Sequence, residues 1–212
     1  MSIHDELQQQ WQDTRLRLLE KGLLDQEQGA LSLRCPGTTA MWLGAAGDDQ
    51  PLLYPWEQAH GSSQARLHAT IYRQRPDVGA ICWGAGPFGR SLHQFGGVLP
   101  QVFDEQARHL GPMSRPVQQQ QGLAAALARG GNALLWQELP LLLGSTAARM
   151  AMNAELFEKC SKAYLLAHAS GAAIGELPWL VRYIANGRLR KDRRRAADAF
   201  AQGQLPAESR GY

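Results

Sequence analysis

The chain has 212 residues, 44% of them hydrophobic, which is enough for one domain with a substantial buried core and excludes a disordered chain. Its formal net charge is only +3, and its three cysteines (Cys35, Cys82, Cys160) are widely spaced and odd in number, so a disulfide framework is excluded and a reducing, cytoplasmic setting is expected. The polar start MSIHDELQQQ has no apolar signal core, and no run of about 18 apolar residues predicts a membrane span.

In chain order, Ser2 is placed to cap a helix reaching Gly22, with Ile3, Leu7, Trp11, Leu18 and Leu19 as its buried stripe. Two short strands are predicted at 30–34 and 39–43, joined by the Pro36-Gly37 turn. Ser62 and Ser63 then open a helix with Leu67, Ile71 and Tyr72 on one face and Arg66, Arg73 and Arg75 elsewhere, and Pro76 stops it. The apolar run 78–83 reads as a buried strand emptying into Gly84-Ala85-Gly86-Pro87. Helices are expected at 88–95, 104–110 and 122–129, with strands at 113–117 and 132–137. Ser145 is predicted to cap a long helix that Gly171 ends. Strands alternating with helices, without an internal repeat, indicate an α/β layered domain.

The phrase LHATIYRQRPDVGAI closely resembles the class II aldolase/adducin family, whose pattern runs Ser-Ser-Glu, then a helix ending Arg-Pro-Asp-Val-Gly-Ala, then a strand carrying His-x-His-Pro. LRLLEKGLLDQEQGALSLRCPG, LPQVFDEQARHLGP, LARGGNALLWQ and ELFEKCSKAYLLAHASG are similar to flanking segments of the same family. The resemblance implies a mostly antiparallel central sheet flanked by helices. It also implies a homo-oligomer, often a tetramer. In the family's enzymes three histidines hold a divalent metal, zinc, and a glutamate is the general acid/base.

Motif on motif, the glutamate falls on Gln64, the His-x-His pair on Trp83 and Ala85, and the third histidine on Gly131. Trp, Ala and Gly offer no metal-binding lone pair, and Gln64 cannot exchange a proton near neutral pH. The expectation is therefore no catalytic residue, no metal and no cofactor: a pseudoenzyme with a binding or scaffolding role. Two further family features are altered. The substrate asparagine of Gly-Asn-Leu-Ser is Ala30, and the phosphate-holding Thr-Pro-Ser-Gly turn corresponds to Gly44-Ala45-Ala46-Gly47. The candidate ligand contacts left are Ser62, Ser63 and the backbone at Gly47. Plain helix capping is the favoured reading of Ser62 and Ser63 over a retained anion site, and filling of the vacated cavity is the favoured reading of Trp83 over a stacking wall for a new ligand.

Two rival readings remain open. One is a metal-dependent lyase, epimerase or dehydratase on a phosphorylated sugar, its site rebuilt from His93 or His109 with Asp104, Glu105 or Cys82. The other is a metal-independent binder of a small anionic, phosphorylated ligand. Residues 1–174 form the family-like domain on this reading, and 175–212 a helical appendage beginning with a linker at 175–178. Its short apolar helix precedes a basic one at 188–202. Between Arg182 and Arg195, seven basic residues face Asp192 alone, leaving the rest of the chain at −3. An acidic protein partner through Arg188, Arg190, Lys191, Arg193, Arg194 and Arg195 fits this charge better than nucleic acid, because interleaved aromatics are few.

Overall fold

The computed structural model describes residues 2–84 and 86–208. Strands β1 (Ala30–Arg34), β2 (Ala40–Ala45), β3 (Leu52–Pro55), β4 (Ala80–Trp83), β5 (Ala133–Trp136) and β6 (Leu139–Gly144) form one sheet in the order β3-β2-β1-β4-β6-β5. Every neighbouring pair is antiparallel. The strands are apolar on both sides because helices cover both faces. On one face, Leu31, Leu33, Cys82, Leu135 and Leu142 pack with Leu7, Trp11 and Leu18 of α1 (Ile3–Glu20) and Phe157 and Cys160 of α6 (Ala147–Ala169). On the other, Met41, Leu43, Ile81, Leu134 and Leu143 meet Leu67 and Ile71 of α2 (Ser63–Gln74) and Leu123 of α5 (Gln120–Ala128). Helices α3 (Pro87–Ser91) and α4 (Asp104–His109) pack against α6 on the first of these faces.

Several expectations are corrected. Ser2 does cap α1 in a capping box with Asp5, but Ile3 is exposed. β2 continues through Gly44 and Ala45, so the expected turn at 44–47 starts later. Strands β3 and β6 were not predicted; Pro140 is tolerated in β6 at the pairing with Leu135. The 113–117 segment makes only the bridge of Val117 to Trp136. Thr146, not Ser145, caps α6, its hydroxyl accepting from the Arg149 amide. The two tail helices are a single helix, α7 (Trp179–Ala201), that runs through Gly187.

α7 is docked through Ala185, Leu189, Ala196 and Phe200, all buried. Phe200 reaches the start of β4, where a Cβ on Gly79 would lie 2.6 Å from its ring. Arg34 stacks on the Phe200 ring at 4.6 Å.

Arg75 was expected off the apolar face of its helix, yet it is 2% exposed. Asp77 accounts for this. The guanidinium makes a two-bond fork to its carboxylate at 2.8 Å each, and a buried charge needs such a partner.

Beneath α2, His68 Nδ1 lies 2.7 Å from Ser32 Oγ, which is 2.8 Å from the Tyr72 hydroxyl. His68 has no solvent exposure, and burial pushes its pKa down to about 3. Below pH 6.5 the unfolded chain takes a proton here that the folded chain refuses, so stability present above 6.5 is lost as pH falls. We expect this residue alone to remove about 1.6 kcal/mol between pH 6.5 and pH 5, measured by urea unfolding. A His68→Gln variant with the same slope over that range would contradict it.

Candidate functional site

Trp83 ends β4, opposite Ala30 of β1 and Leu141 of β6. The chain then turns through Gly84, whose φ of +86° suits glycine. Its amide donates to the Pro140 carbonyl at 2.8 Å and its own carbonyl accepts from Asp25 at 2.9 Å, pinning the turn to two loops. Helix α3 begins with Pro87 and has no side-chain cap of its own. Glu158 of α6 supplies one: its two carboxylate oxygens accept from the Phe88 and Gly89 amides, each at 2.8 Å. Ala85 lies between these anchors but outside the described residues.

Two other elements converge on Trp83. The first is the start of α2. Ser62 is the N-cap, its hydroxyl accepting from Ala65 at 3.3 Å, so that side chain is engaged in capping. Ser63 and Gln64 follow on the groove side. The second is the β5–β6 hairpin, whose tip is Gln137 and Glu138, with φ of 49° and 73°. Such a two-residue turn favours Asn-Gly, because a side chain costs about 1–2 kcal/mol in the left-handed region. Two long polar side chains are held there all the same.

Together these residues line an open groove of about 510 Å³, with Glu27, Gln28 and Arg90 on its remaining sides. Arg90 is paired with Asp25, and His93 Nε2 lies 3.7 Å from the Glu138 carboxylate. Burial of Asp25 opposes ionisation, but the Gln28 amide hydrogen bond outweighs it and, with Glu27 and Arg90, holds the carboxyl below its ordinary range. The Trp83 ring is half-buried and joins the α2-side core, with its indole N–H buried and without a hydrogen-bond partner among the described residues.

The structure therefore brings Ser63, Gln64 and Trp83 together and leaves two expected site residues elsewhere. Gly131 is at the opposite end of the sheet. Its carbonyl accepts from Arg75 at 2.8 Å, and a Cβ there would sit 2.2 Å from the Pro112 carbonyl oxygen. Gly47 lies in the exposed turn after β2 and does not line the groove. The residue that sequence reasoning missed is Glu138. Its signal was present: two apolar runs, 133–136 and 139–144, flank a two-residue polar step, which is a hairpin pattern.

The donor set does not fit zinc. Trp83 and Gln64 supply no thiolate, imidazole or carboxylate, while Arg90 adds a positive charge to the groove. Among the described residues no group of three His, Cys, Asp or Glu gathers that could hold a metal. The residues suggested for a rebuilt site are not brought together. His93 is at the groove, Cys82 is sealed within the sheet, and His109 lines a different cavity.

Removing the Ser62 hydroxyl should cost about 1 kcal/mol of stability, the usual worth of an N-cap, while Ser63→Ala should leave stability nearly unchanged. Thermal unfolding of the two variants checks this; equal losses would mean the cap is shared.

A groove at the end of a helix-covered antiparallel sheet, floored by a strand end and rimmed by a helix start and a hairpin tip, defines the class II aldolase type of α/β protein. Residues 12–165 match the family described as Class II Aldolase and Adducin N-terminal domain, and the chain belongs to that family. The fold is similar to an L-fuculose 1-phosphate aldolase at 17% identity, covering 90% of this chain and 98% of that one with a TM-score of 0.74. It is also similar to L-fuculose 1-phosphate aldolase from Glaciozyma antarctica PI12 (16% identity, 96% and 92% covered, TM-score 0.72). YgbL from Klebsiella pneumoniae is a third (17% identity, 87% and 100% covered, TM-score 0.72). No curated protein matches the sequence significantly.

Proposed function

We propose that this protein is a catalytically inactive, metal-free member of its family, whose groove beside Trp83 serves binding rather than carbon–carbon bond chemistry. The observation that carries the reading is the makeup of the groove: Trp83, Gln64 and Glu138 stand where three elements converge. Ligands of one ion must come from one place, so the position equivalent to the third histidine is Glu138 and not Gly131. One carboxylate beside an amide and an indole is a poor zinc site. Gln64 retains the length of a glutamate but cannot act as an acid or base near neutral pH. Metal charge stabilisation, worth several kcal/mol, and a base worth roughly 10²–10⁴-fold are both missing from this reading.

Three of the structural neighbours are L-fuculose 1-phosphate aldolases, which makes that sugar phosphate the substrate to test. Purified protein incubated with zinc and dialysed should retain less than about a tenth of an equivalent, and should not cleave L-fuculose 1-phosphate above background. Near one equivalent of zinc, or cleavage abolished by a chelator, would return the lyase reading to first place.

The metal-independent anion binder is favoured as a second reading by one observation. Ser63, Arg90 and the start of α2, which has no acidic residue in its first turn, face the same groove. A Ser63→Ala variant should then lose thermal stabilisation by phosphate. As to partners, we place this protein among homo-oligomers on its family resemblance, with light scattering as the check. An acidic protein partner remains suited to Arg188, Arg190, Lys191, Arg194 and Arg195, all exposed on α7, whereas Arg193 turns inward to Asp77. No helix among the described residues is long and apolar enough to cross a membrane.

A further inference from the structure

The two faces of α7 differ in character. Its inner face, Ala185, Leu189, Ala196 and Phe200, is buried against the domain. The charges on that side are satisfied: Asp192 meets Arg108 of α4 at 2.5 Å, and Arg193 meets Asp77 at 2.9 Å. Near the start of the helix the Leu177 amide donates to the Gln101 carbonyl at 2.9 Å, and Gln101 Nε2 donates to Asn186 Oδ1 at 3.2 Å. The helix is therefore fixed to the domain along its length.

The outer face is not satisfied in this way. Its first two turns leave Trp179 70%, Leu180 51%, Tyr183 61% and Ile184 50% exposed. Further along, Arg188, Arg190, Lys191, Arg194 and Arg195 are exposed as well. At roughly 100° per residue, all nine positions fall on the half of the helix opposite the buried residues. Arg190 lies over the Tyr183 ring at 5.8 Å and joins the two sets. Arg195 has only a 4.0 Å approach to Asp192. Among the described residues, Arg188, Lys191 and Arg194 have no carboxylate within ion-pair reach, and Asp198 is the one exposed acid of this helix.

Two aromatic and two aliphatic side chains standing together in water mark a contact surface, and five cations beside them call for negative charge. A second copy laid along the full face would set cation against cation. An acidic protein answers the charge, but this face is convex, and the nearest cleft, about 210 Å³, lies at its edge against α4. A bilayer needs no matching shape. Trp and Tyr rings settle at the headgroup boundary, aliphatic side chains enter the acyl region, and Lys and Arg rest on anionic headgroups.

We propose that the outer face of α7 docks this protein on an anionic lipid surface, with Trp179, Leu180, Tyr183 and Ile184 entering the interface and the five basic residues on the headgroups. The attachment is peripheral, with the helix lying along the surface on its exposed side. It is independent of the Trp83 groove and stands whether or not that groove binds anything.

The test is flotation of the full chain with vesicles of phosphatidylcholine, alone or with about 30% phosphatidylserine. The expected result is binding to the anionic vesicles only, weakened about tenfold or more between about 0.1 and 0.5 M salt. Two double variants, Trp179→Ser with Tyr183→Ser and Arg188→Gln with Arg194→Gln, should each weaken it about tenfold or more. All four residues are exposed, so thermal midpoints should match the parent's; if the aromatic pair does not fold, the arginine pair still decides. No flotation with anionic vesicles at about 1 mM lipid would overturn the proposal. So would equal flotation with both vesicles, or binding indifferent to both variants. Retention on polyglutamate without flotation would assign the face to an acidic protein instead. A dimer that the aromatic variant splits would assign it to a second copy.

Discussion

Replacing Arg75 with methionine is expected to destabilise the fold by about 3–5 kcal/mol, because it leaves the Asp77 carboxylate buried with half its compensation gone. The guanidinium makes four hydrogen bonds: two to Asp77, one to the Gly131 carbonyl at 2.8 Å and one to Asn132 Oδ1 at 3.0 Å. Those contacts join the end of α2 to the start of β5, and Arg193 adds α7 to the same carboxylate. The loss should therefore reach three elements at once. An Arg193→Met change should cost less, since Arg193 is partly exposed and Asp77 would keep its fork. Urea unfolding of the two variants checks the order; an Arg193 variant as damaged as the Arg75 variant would place the main support in α7.

The same pair sets an acid limit. Burial raises the tendency of Asp77 to be protonated, but Arg75 and Arg193 together outweigh it, and its pKa is held below the ordinary value. A depressed carboxyl pKa stabilises the fold above the unfolded-state value of about 3.9, and that contribution disappears as pH falls through the folded value. Asp77→Asn should abolish this part of the acid transition, leaving the His68 contribution at higher pH in place.

The second large effect concerns the groove. A triple variant, Trp83→His with Ala85→His and Glu138→His, is expected to retain close to one equivalent of zinc where the parent protein retains almost none. The three imidazoles would restore the His-x-His pair and third histidine that the family resemblance implies, donors that the groove lacks. Saturating zinc should stabilise the variant by about 3 kcal/mol at a hundredfold excess over Kd, reversed by a chelator. Gly131→His is the contrasting change. It should prevent folding, because even its Cβ would fall 2.2 Å from the Pro112 carbonyl oxygen. A soluble Gly131→His protein that binds zinc, with a folded triple variant that does not, would overturn the placement of Glu138.

Much of this architecture is written locally. The Ser2 cap, a cap at Ser62 or Ser63, the stop at Pro76 and the apolar runs 78–83 and 132–137 depend on residues a few positions apart; Ser2 and Ser62 are the caps, and the two runs hold strands at Ala80–Trp83 and Ala133–Trp136. The replaced motif residues Gln64 and Trp83 were equally legible, since side-chain chemistry does not depend on the fold. Strand β3 leaves no alternating pattern in the sequence, because Leu52 and Leu53 are exposed at a sheet edge. Gly187 and a change from apolar to basic residues look like a break in the sequence, yet α7 is a single helix.

What the sequence by itself determined was the order of most elements and the absence of histidine at the two strand positions of the family's metal set. The tertiary structure alone decided which residues meet. Antiparallel pairing of β5 with β6 turns the chain back at Gln137 and Glu138, and pairing of β6 with β4 carries that tip to Trp83 while Gly131 is left at the other end. Likewise Arg75, charged and outside the helix's apolar face, is buried only because Asp77, Asn132 and the Gly131 carbonyl arrive to satisfy it. Periodicity is a property of one element, whereas a site depends on the register between elements far apart in the chain, and only packing sets that register.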